Sequence, residues 1–468
     1  MDDFLREIQT SVFREWINNQ KRDYYHLHQS ETDPDAIIIE NEYCYSYVTF
    51  NPQCIIELCV MNKRTDEMAF YLHFQFKTLK HAISLFEEMA QCIKKMIDQP
   101  ICRLLLCCSG GMTTAFFADK IKNGIKVLNL NMEVAATSYQ KIYNVAQNYD
   151  VILLAPQVSY VKLQVEKVFK NKLVLKIPTQ IFASYNVGAL ITFVEESLKH
   201  KENKYNGYVE PLASMMEIKT NKNVLAVSIN ANGENSHISY RLYNSHQDIV
   251  LDSNIIKSNI KLQDVLDALD TVVLQNEMID VISIALPGIM VEGNVYSGII
   301  EGGNHQLKER LEKRYEKEIY LINDVNAAVV GYYASQNEYK SLAFLFQPIG
   351  RMAGSGIVVN GQLVRGMDHL AGEVALLPLN LSDAYLTLAN TPEGTLELVT
   401  KNIMSIIAIV APEAIVVYSD LILDSQDVSD EIKKSLSQYS LKVYPKIIKV
   451  ENILEYILLG AMILSAKE

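Results

Sequence analysis

The sequence predicts an α/β protein in three parts, and three observations lead to it. Between Leu104 and Leu198 short apolar runs alternate with helical stretches, the pattern of a small parallel sheet with crossover helices. Ahead of that region lie alternating strands closed by a helix, and after it a longer half in which apolar strands lead into helices. The length of 468 residues fits about three domains of roughly 100–200 residues each. The expected divisions are an α+β domain over 1–100, a four-stranded parallel-sheet domain over 101–199, a linker over 200–222 and a larger domain over 223–468. The linker is polar and tyrosine-rich, and it contains Gly207 and Pro211.

In the first part, period-two alternation in Tyr43–Phe50, Cys54–Met61 and Glu67–Phe76 predicts three antiparallel strands. Turns fall at Asn51-Pro52 and Lys63–Asp66, and apolar residues at helical spacing predict a helix from Leu79 to Met96. His26, His28 and His73 are isolated and carry no metal-ligand spacing, so no metal site is expected.

In the second part, strands are expected at Leu104–Cys107, Lys126–Leu130, Val151–Leu154 and Leu173–Ile177. Helices are expected at Thr114–Lys122, Ser138–Asn148, Val161–Lys170 and Gly188–Leu198. Such a sheet binds ligands at the carboxyl ends of its strands. Cys108 sits at such an end, within LLLCCSGGMTT (Leu104–Thr114). Gly110 and Gly111 let backbone N–H groups turn inward, and the following helix start adds its positive dipole end. An anion on the Cys108 sulfur is stabilised there, and the same field lowers the thiol pKa. Loops that hydrolyse cysteine-bound phosphate end in an arginine whose fork clamps the oxygens, whereas Thr114 stands in that place here. Backbone from Gly110 to Met112 and hydroxyls of Ser109, Thr113 and Thr114 suit a carrier that passes phosphate on. The alternative is an inert, buried cysteine beside a tight turn. Cys107, one residue earlier on the strand, is read as core.

Residues from about Arg103 to Leu198 resemble the IIB component of the lactose and cellobiose class of the bacterial sugar phosphotransferase system. CSGGMTT (Cys108–Thr114) matches its phosphorylation loop and LLAPQVSY (Leu153–Tyr160) its second motif, with SYNVG near Tyr185 a looser match. The resemblance implies that Cys108 takes phosphate from a histidine of a IIA protein and gives it to a sugar held by a membrane IIC protein.

In the C-terminal half, INDVNAA (Ile322–Ala328) sets Asn323 and Asp324 between an apolar strand and an alanine-rich helix. A carboxylate there is placed to act as a general base on a hydroxyl, and Asn and Asp are equally the favoured helix caps. Around it, ALPGIMVEGNVY (Ala285–Tyr296), GSGIVVNGQLVRG (Gly354–Gly366), AGEVALLPL (Ala371–Leu379) and LLGAMILSA near the terminus follow in the order seen in the ROK family of sugar kinases and repressors. That resemblance implies a two-lobed actin-like ATPase fold with a sugar between the lobes and pairing as a homodimer. It also implies contacts from Asn323, Asp324 and Glu373 to sugar hydroxyls, with Asp324 as base.

The departures from the ROK pattern concern the nucleotide. VSINANGE (Val227–Glu234) puts Ser228, Asn230 and Ala231 where kinases carry a carboxylate and glycines. The second phosphate loop reads Gly350-Arg351-Met352-Ala353-Gly354-Ser355-Gly356, with Met352 where only glycine admits a phosphate closely. Tyr418 and Ser419 replace paired glycines, and Leu376 and Leu377 stand in the region of a zinc-binding histidine. The expectation is therefore a sugar-binding domain with little or no kinase activity and with neither cofactor nor metal; Arg351 and Arg365 are read first as solvated surface residues and second as anion contacts to a sugar phosphate.

Composition narrows the partners. A formal net charge of −12 without a basic block argues against nucleic acid. No apolar stretch approaches the ~18 residues of a membrane span, and the acidic start is no signal peptide, so the protein is expected to be cytoplasmic. All 7 cysteines lie in the first 108 residues and are expected to be reduced. The combined expectation is a phosphocysteine carrier joined to a sugar sensor in carbohydrate uptake. The competing expectations are an ATP-dependent sugar kinase with a regulatory IIB-like domain and a non-catalytic transcriptional regulator.

Overall fold

The computed structural model describes residues 3–63, 67–97, 102–109, 112–128, 130, 132–146, 149–169, 172–202, 220–232, 235–291, 294–296, 300–301, 307–367, 370–422, 424–437 and 444–466. The chain opens with α1 (Asp3–Asn18), β1 (His26–Gln29), β2 (Ala36–Glu40), β3 (Cys44–Asn51), β4 (Ile55–Asn62), β5 (Met68–Gln75) and α2 (Leu79–Ile97). Strands β1 to β5 form an antiparallel meander, with β3, β4 and β5 on the three alternating runs. Alternation does not reveal β2 because Ala36 to Ile39 are buried in succession, so AIIIE reads as one apolar run.

A second unit follows: β6 (Cys102–Cys108), α3 (Met112–Val127), β7 (Met132–Ser138), α4 (Ile142–Val145), β8 (Val151–Leu154), α5 (Lys162–Val168), β9 (Leu173–Lys176), α6 (Thr179–Ser184) and α7 (Val187–Glu202). Its sheet is parallel throughout, in the order β7-β6-β8-β9, around its own apolar core. The strand expected at Lys126–Leu130 is corrected. Helix α3 runs on through Val127, the strand begins at Met132, and Val127 and Leu128 are exposed. A short apolar run does not distinguish a helix end from a strand by periodicity alone. Most of the expected linker, residues 203–219, lies outside the described residues.

The first lobe of the C-terminal half holds β10 (Val224–Asn232), β11 (Asn235–Tyr243), β12 (Ile249–Lys257), β13 (Ile260–Lys261), α8 (Leu262–Gln275) and β14 (Val281–Leu286), then β15 (Ile289–Val291), β16 (Asn294–Tyr296), β17 (Ile300–Glu301), α9 (Leu307–Tyr315) and β18 (Glu318–Asn323). The second holds α10 (Asp324–Ala334), β19 (Leu342–Phe346), β20 (Gly354–Val359), β21 (Gln362–Leu363), α11 (Tyr385–Leu388), α12 (Pro392–Ile409), β22 (Ala414–Tyr418), α13 (Ser425–Ser437), β23 (Lys446–Lys449) and α14 (Leu454–Ala466). Each lobe uses one plan, three antiparallel strands followed by two parallel ones. The orders are β12-β11-β10-β14-β18 and β21-β20-β19-β22-β23. This duplicated plan is the two-lobed actin-like architecture.

The first hundred residues, expected to form a domain of their own, share a 10-stranded sheet and one apolar core with the first lobe. Without them β12 is an open sheet edge, which β5 covers. Side chains complete the join. His73 Nε2 hydrogen-bonds the Tyr240 hydroxyl at 2.9 Å, and Lys257, only 2% exposed, lies 2.6 Å from both Glu88 and Asp264. From Lys77, Nζ reaches Asp267 and Asp270 at 2.6 Å each, and His81 Nε2 lies 3.0 Å from Asp267.

The lobes are tied by the crossing of α10 and α14. A Cβ on Gly331 falls 1.9 Å from the Tyr456 carbonyl oxygen, and one on Gly460 falls 1.8 Å from that of Ala327, so both positions demand glycine. Helix α14 is held to the first lobe by Ser283 Oγ donating to the Ala461 carbonyl at 2.8 Å. Arg241 adds two bonds of 2.9 Å to the Glu455 carboxylate.

Two outcomes follow from this packing. Gly460→Ala forces the two helices apart and is expected to lower stability by about 3 kcal/mol in denaturant unfolding. Burial pushes the Asp267 carboxyl up, but the His81 and Lys77 interactions outweigh it and hold the group below the ordinary carboxylate range. Its folded pKa is thus below its unfolded one, so the stability it contributes is present above the unfolded value of about 4 and drains away as pH falls through the folded one. Lys77→Met is expected to cost about 2 kcal/mol at pH 7 and to flatten the acid limb of a melting-temperature profile below about pH 4. An unchanged acid limb counts against this account.

Candidate functional site

Two places gather the residues singled out by sequence. The first is the carboxyl end of β6. Its neighbours are β7 on one side and β8 on the other; the chain leaving β6 runs to β7 and the chain leaving β8 runs the other way to β9, so the two diverge and open a crevice at the carboxyl ends. Cys108 ends β6 within that crevice, 4% exposed, and Ser109 beside it is exposed. Cys107 is fully buried, and burial followed by the neighbouring Cys108 pushes its thiol up to about 12, as suits a core residue. The remainder of the expected cradle, Gly110, Gly111 and the side chains of Met112, Thr113 and Thr114, lies outside the described residues. Helix α3 begins at Met112, so its N-terminus follows Cys108 within four positions. None of the seven cysteines is in a disulfide.

The second place is a cavity of about 550 Å³ between the lobes, and Asn323, Asp324 and Glu373 all line it. The strand β18 ends at Asn323, whose side chain caps α10. Its Oδ1 accepts from the Val325 and Asn326 N–H groups at 3.1 and 3.0 Å, and its Nδ2 donates to the Gly288 carbonyl at 3.2 Å. The cap reading of this residue, open in the sequence, is therefore realised. Asp324 is the first residue of the helix and is 3% exposed, with Oδ1 accepting from the Val325 N–H at 2.9 Å. Burial drives its carboxyl up to about 7; the Val325 N–H opposes this, and the Glu373 charge reinforces it. Glu373 comes from the opposite lobe, half-buried, its carboxyl also pushed up by burial. The glycine before it has φ +92°, and a Cβ there falls 1.9 Å from the Ser355 carbonyl oxygen. This left-handed turn against β20 aims Glu373 into the cavity, the physical reason for glycine in AGE.

Much of the remaining lining is apolar and includes Phe346, Pro348, Met352 and Leu386, together with Arg351, Asn230 and Ala231. The loop carrying Met352 is pinned: Gln347 Nε2 donates to the Arg351 carbonyl at 2.9 Å and the Tyr385 hydroxyl accepts from the Ala353 N–H at 3.1 Å. Gly354 and Gly356 in this loop serve packing. A Cβ on them falls 2.9 Å from Val325 Cγ2 and 2.4 Å from the Val325 carbonyl oxygen, so β20 lies directly on α10. Sequence reasoning named Met352 but missed Phe346 and Leu386, and nothing local to either residue marks a cavity wall. Arg365 does not line the cavity, Leu376 is exposed, and among the described residues no His, Cys, Asp and Glu cluster suits a metal ion. Among the described residues no helix is long and apolar enough to cross a membrane.

Comparison with known proteins matches two separate stretches of the chain. Residues 103–192 match the family model of the lactose/cellobiose-specific IIB subunit of the phosphotransferase system. Residues 232–385 match the ROK family model. Among solved structures, a ROK family protein from Streptococcus pneumoniae in complex with sucrose is 18% identical with a TM-score of 0.42, over 52% of this chain and 98% of that one. A ROK family glucokinase from Streptomyces griseus, in complex with glucose and AMPPNP, is 16% identical with a TM-score of 0.41, over 53% and 100%. The lactose-specific IIB component domain from Streptococcus pneumoniae is 21% identical with a TM-score of 0.19, over 20% and 95%. No curated protein matches the chain.

The Asp324 carboxyl gives a pH signature. Its folded value of about 7 lies above the unfolded one, so the folded state is favoured while the group is protonated and loses stability as pH rises from about 4 through 7. Asp324→Asn removes the buried charge. The variant is expected to match the wild type near pH 4 and to exceed it by about 2 to 4 kcal/mol at pH 8 in denaturant melts. A constant difference across that range contradicts the buried-acid account.

Proposed function

We propose that this chain joins a phosphocysteine carrier to a sugar-sensing domain that lacks kinase activity, in carbohydrate uptake or its regulation. The observation that carries the reading is the mixed lining of the cavity. Two carboxyls and a carboxamide, on Asp324, Glu373 and Asn323, offer the hydrogen-bonding that sugar hydroxyls require. The same lining holds Ala231, Asn230 and Met352 at the positions where a metal-linked carboxylate and a glycine cradle for phosphate are expected of a kinase. In this reading Asp324 and Glu373 hold sugar hydroxyls.

The carrier half rests on Cys108 at the sheet's crevice, followed by a helix start that favours an anion. Its sulfur attacks the phosphorus of a IIA phosphohistidine, the N–P bond breaks, and the phosphoryl group later passes to a sugar hydroxyl at a membrane IIC protein. Ser109, Thr113 and Thr114 hydroxyls and the Gly110 to Met112 backbone are the proposed cradle. Cys108 is nearly covered, so the reading requires its sulfur to become exposed at the moment of transfer.

One observation favours a second reading, an ATP-dependent sugar kinase. A carboxyl held near 7 is well matched to general-base work on a hydroxyl at neutral pH. Calorimetry separates the two. Under the preferred reading sugar binds, ATP with Mg²⁺ does not, and Glu373→Gln weakens sugar binding about tenfold. Micromolar ATP binding overturns the claim of lost kinase activity. Incubation with phosphoenolpyruvate, the general carrier proteins and a IIA partner is expected to add one phosphoryl group to the wild type and none to Cys108→Ala by mass spectrometry. An unmodified wild type overturns the carrier half.

A further inference from the structure

The cavity extends beyond what its polar lining alone engages. Its volume of about 550 Å³ is that of a site for drug-sized ligands, which range from about 300 to 1,000 Å³. Besides the two carboxyls, the Phe346 ring, Met352 and Leu386 line it. Phe346 is backed by Tyr418, with ring centroids 5.5 Å apart. Met352 and Leu386 are 48% and 52% exposed, an unfavourable state for two large apolar side chains unless something covers them. Their position is built, because the Gln347 and Tyr385 hydrogen bonds fix the loop on both sides of Met352.

A nucleotide phosphate is badly served here, since an anion needs several inward N–H groups or a metal, and Arg351 stands among thioether and hydrocarbon. A second sugar ring is well served. A pyranose carries its C–H bonds on its two faces, so one face lies against an aromatic or aliphatic surface while the hydroxyls at its rim reach water or a border residue such as Asn230 or Arg351. The geometry points to a second-ring subsite: the cavity takes a disaccharide, one ring hydrogen-bonded to Asp324 and Glu373 and the other covering Phe346, Met352 and Leu386. This inference rests on the sugar-binding reading and names its ligand class.

Calorimetry on the full chain tests it, with glucose and galactose against lactose, cellobiose and maltose. The best disaccharide is expected to bind at least about tenfold more tightly than either monosaccharide. Phe346→Ala and, on the exposed rim where folding is not at risk, Leu386→Ser are each expected to shrink that ratio by about fivefold or more. Equal affinity for single and paired rings, or a ratio that neither variant changes, overturns the subsite and leaves the monosaccharide sensor standing. If no sugar of either size binds while the chain is folded by circular dichroism, the sugar-binding reading itself falls and takes the subsite with it.

Discussion

Contact between α10 and α14 at Gly331 and Gly460 is the constraint on which the C-terminal half depends. Helix α10 leaves the first lobe at Asn323 yet packs on β20 of the second, while α14 ends the second lobe yet is bonded to β14 and β11 of the first. Each helix therefore belongs to both lobes, and their axes approach closely enough that a methyl group has no room. The same helix start that crosses lobes carries Asp324 into the cavity, and β20, pressed on α10 through Gly354 and Gly356, leads by way of the Gly372 turn to Glu373. Asp324 is thus placed by helix packing and Glu373 by a turn pressed on β20. Rigid supports of this kind give a site its precision.

Much of this was legible in sequence because the signals were local. CSGGMTT after an apolar strand, and INDVNAA between strand and helix, combine a period change with residues that only a turn or a cap requires. The parallel sheet of the second unit followed from alternation, apart from one strand that the apolar end of α3 imitated. The rest depended on partners distant in the chain. Nothing near Tyr71 or Ile256 announces that β5 will close the edge of β12, because that pairing is decided by Lys77, His81, Glu88 and Lys257 meeting residues of another segment. Phe346 and Leu386 become a wall only when β19 and α11 are brought to opposite sides of the pinned loop. A fully buried run such as Ala36–Ile39 escapes alternation for the opposite reason, since both of its faces are covered.

Asp324 shows why a site cannot be judged from one residue. A buried carboxyl near neutrality is what a base catalyst needs, and taken alone it argues for chemistry. General-base assistance, however, supplies a factor of only about 10²–10⁴. Phosphoryl transfer draws most of its acceleration from placing the phosphate and neutralising its charge. In the proposed reading Met352 and Ala231 stand where such groups are needed. A carboxyl that binds sugar with its proton shared between partners needs the same burial as a base, because water competing for its hydrogen bonds would erase selectivity. The same raised value therefore serves recognition as well as catalysis, and the carboxyl alone does not decide between them.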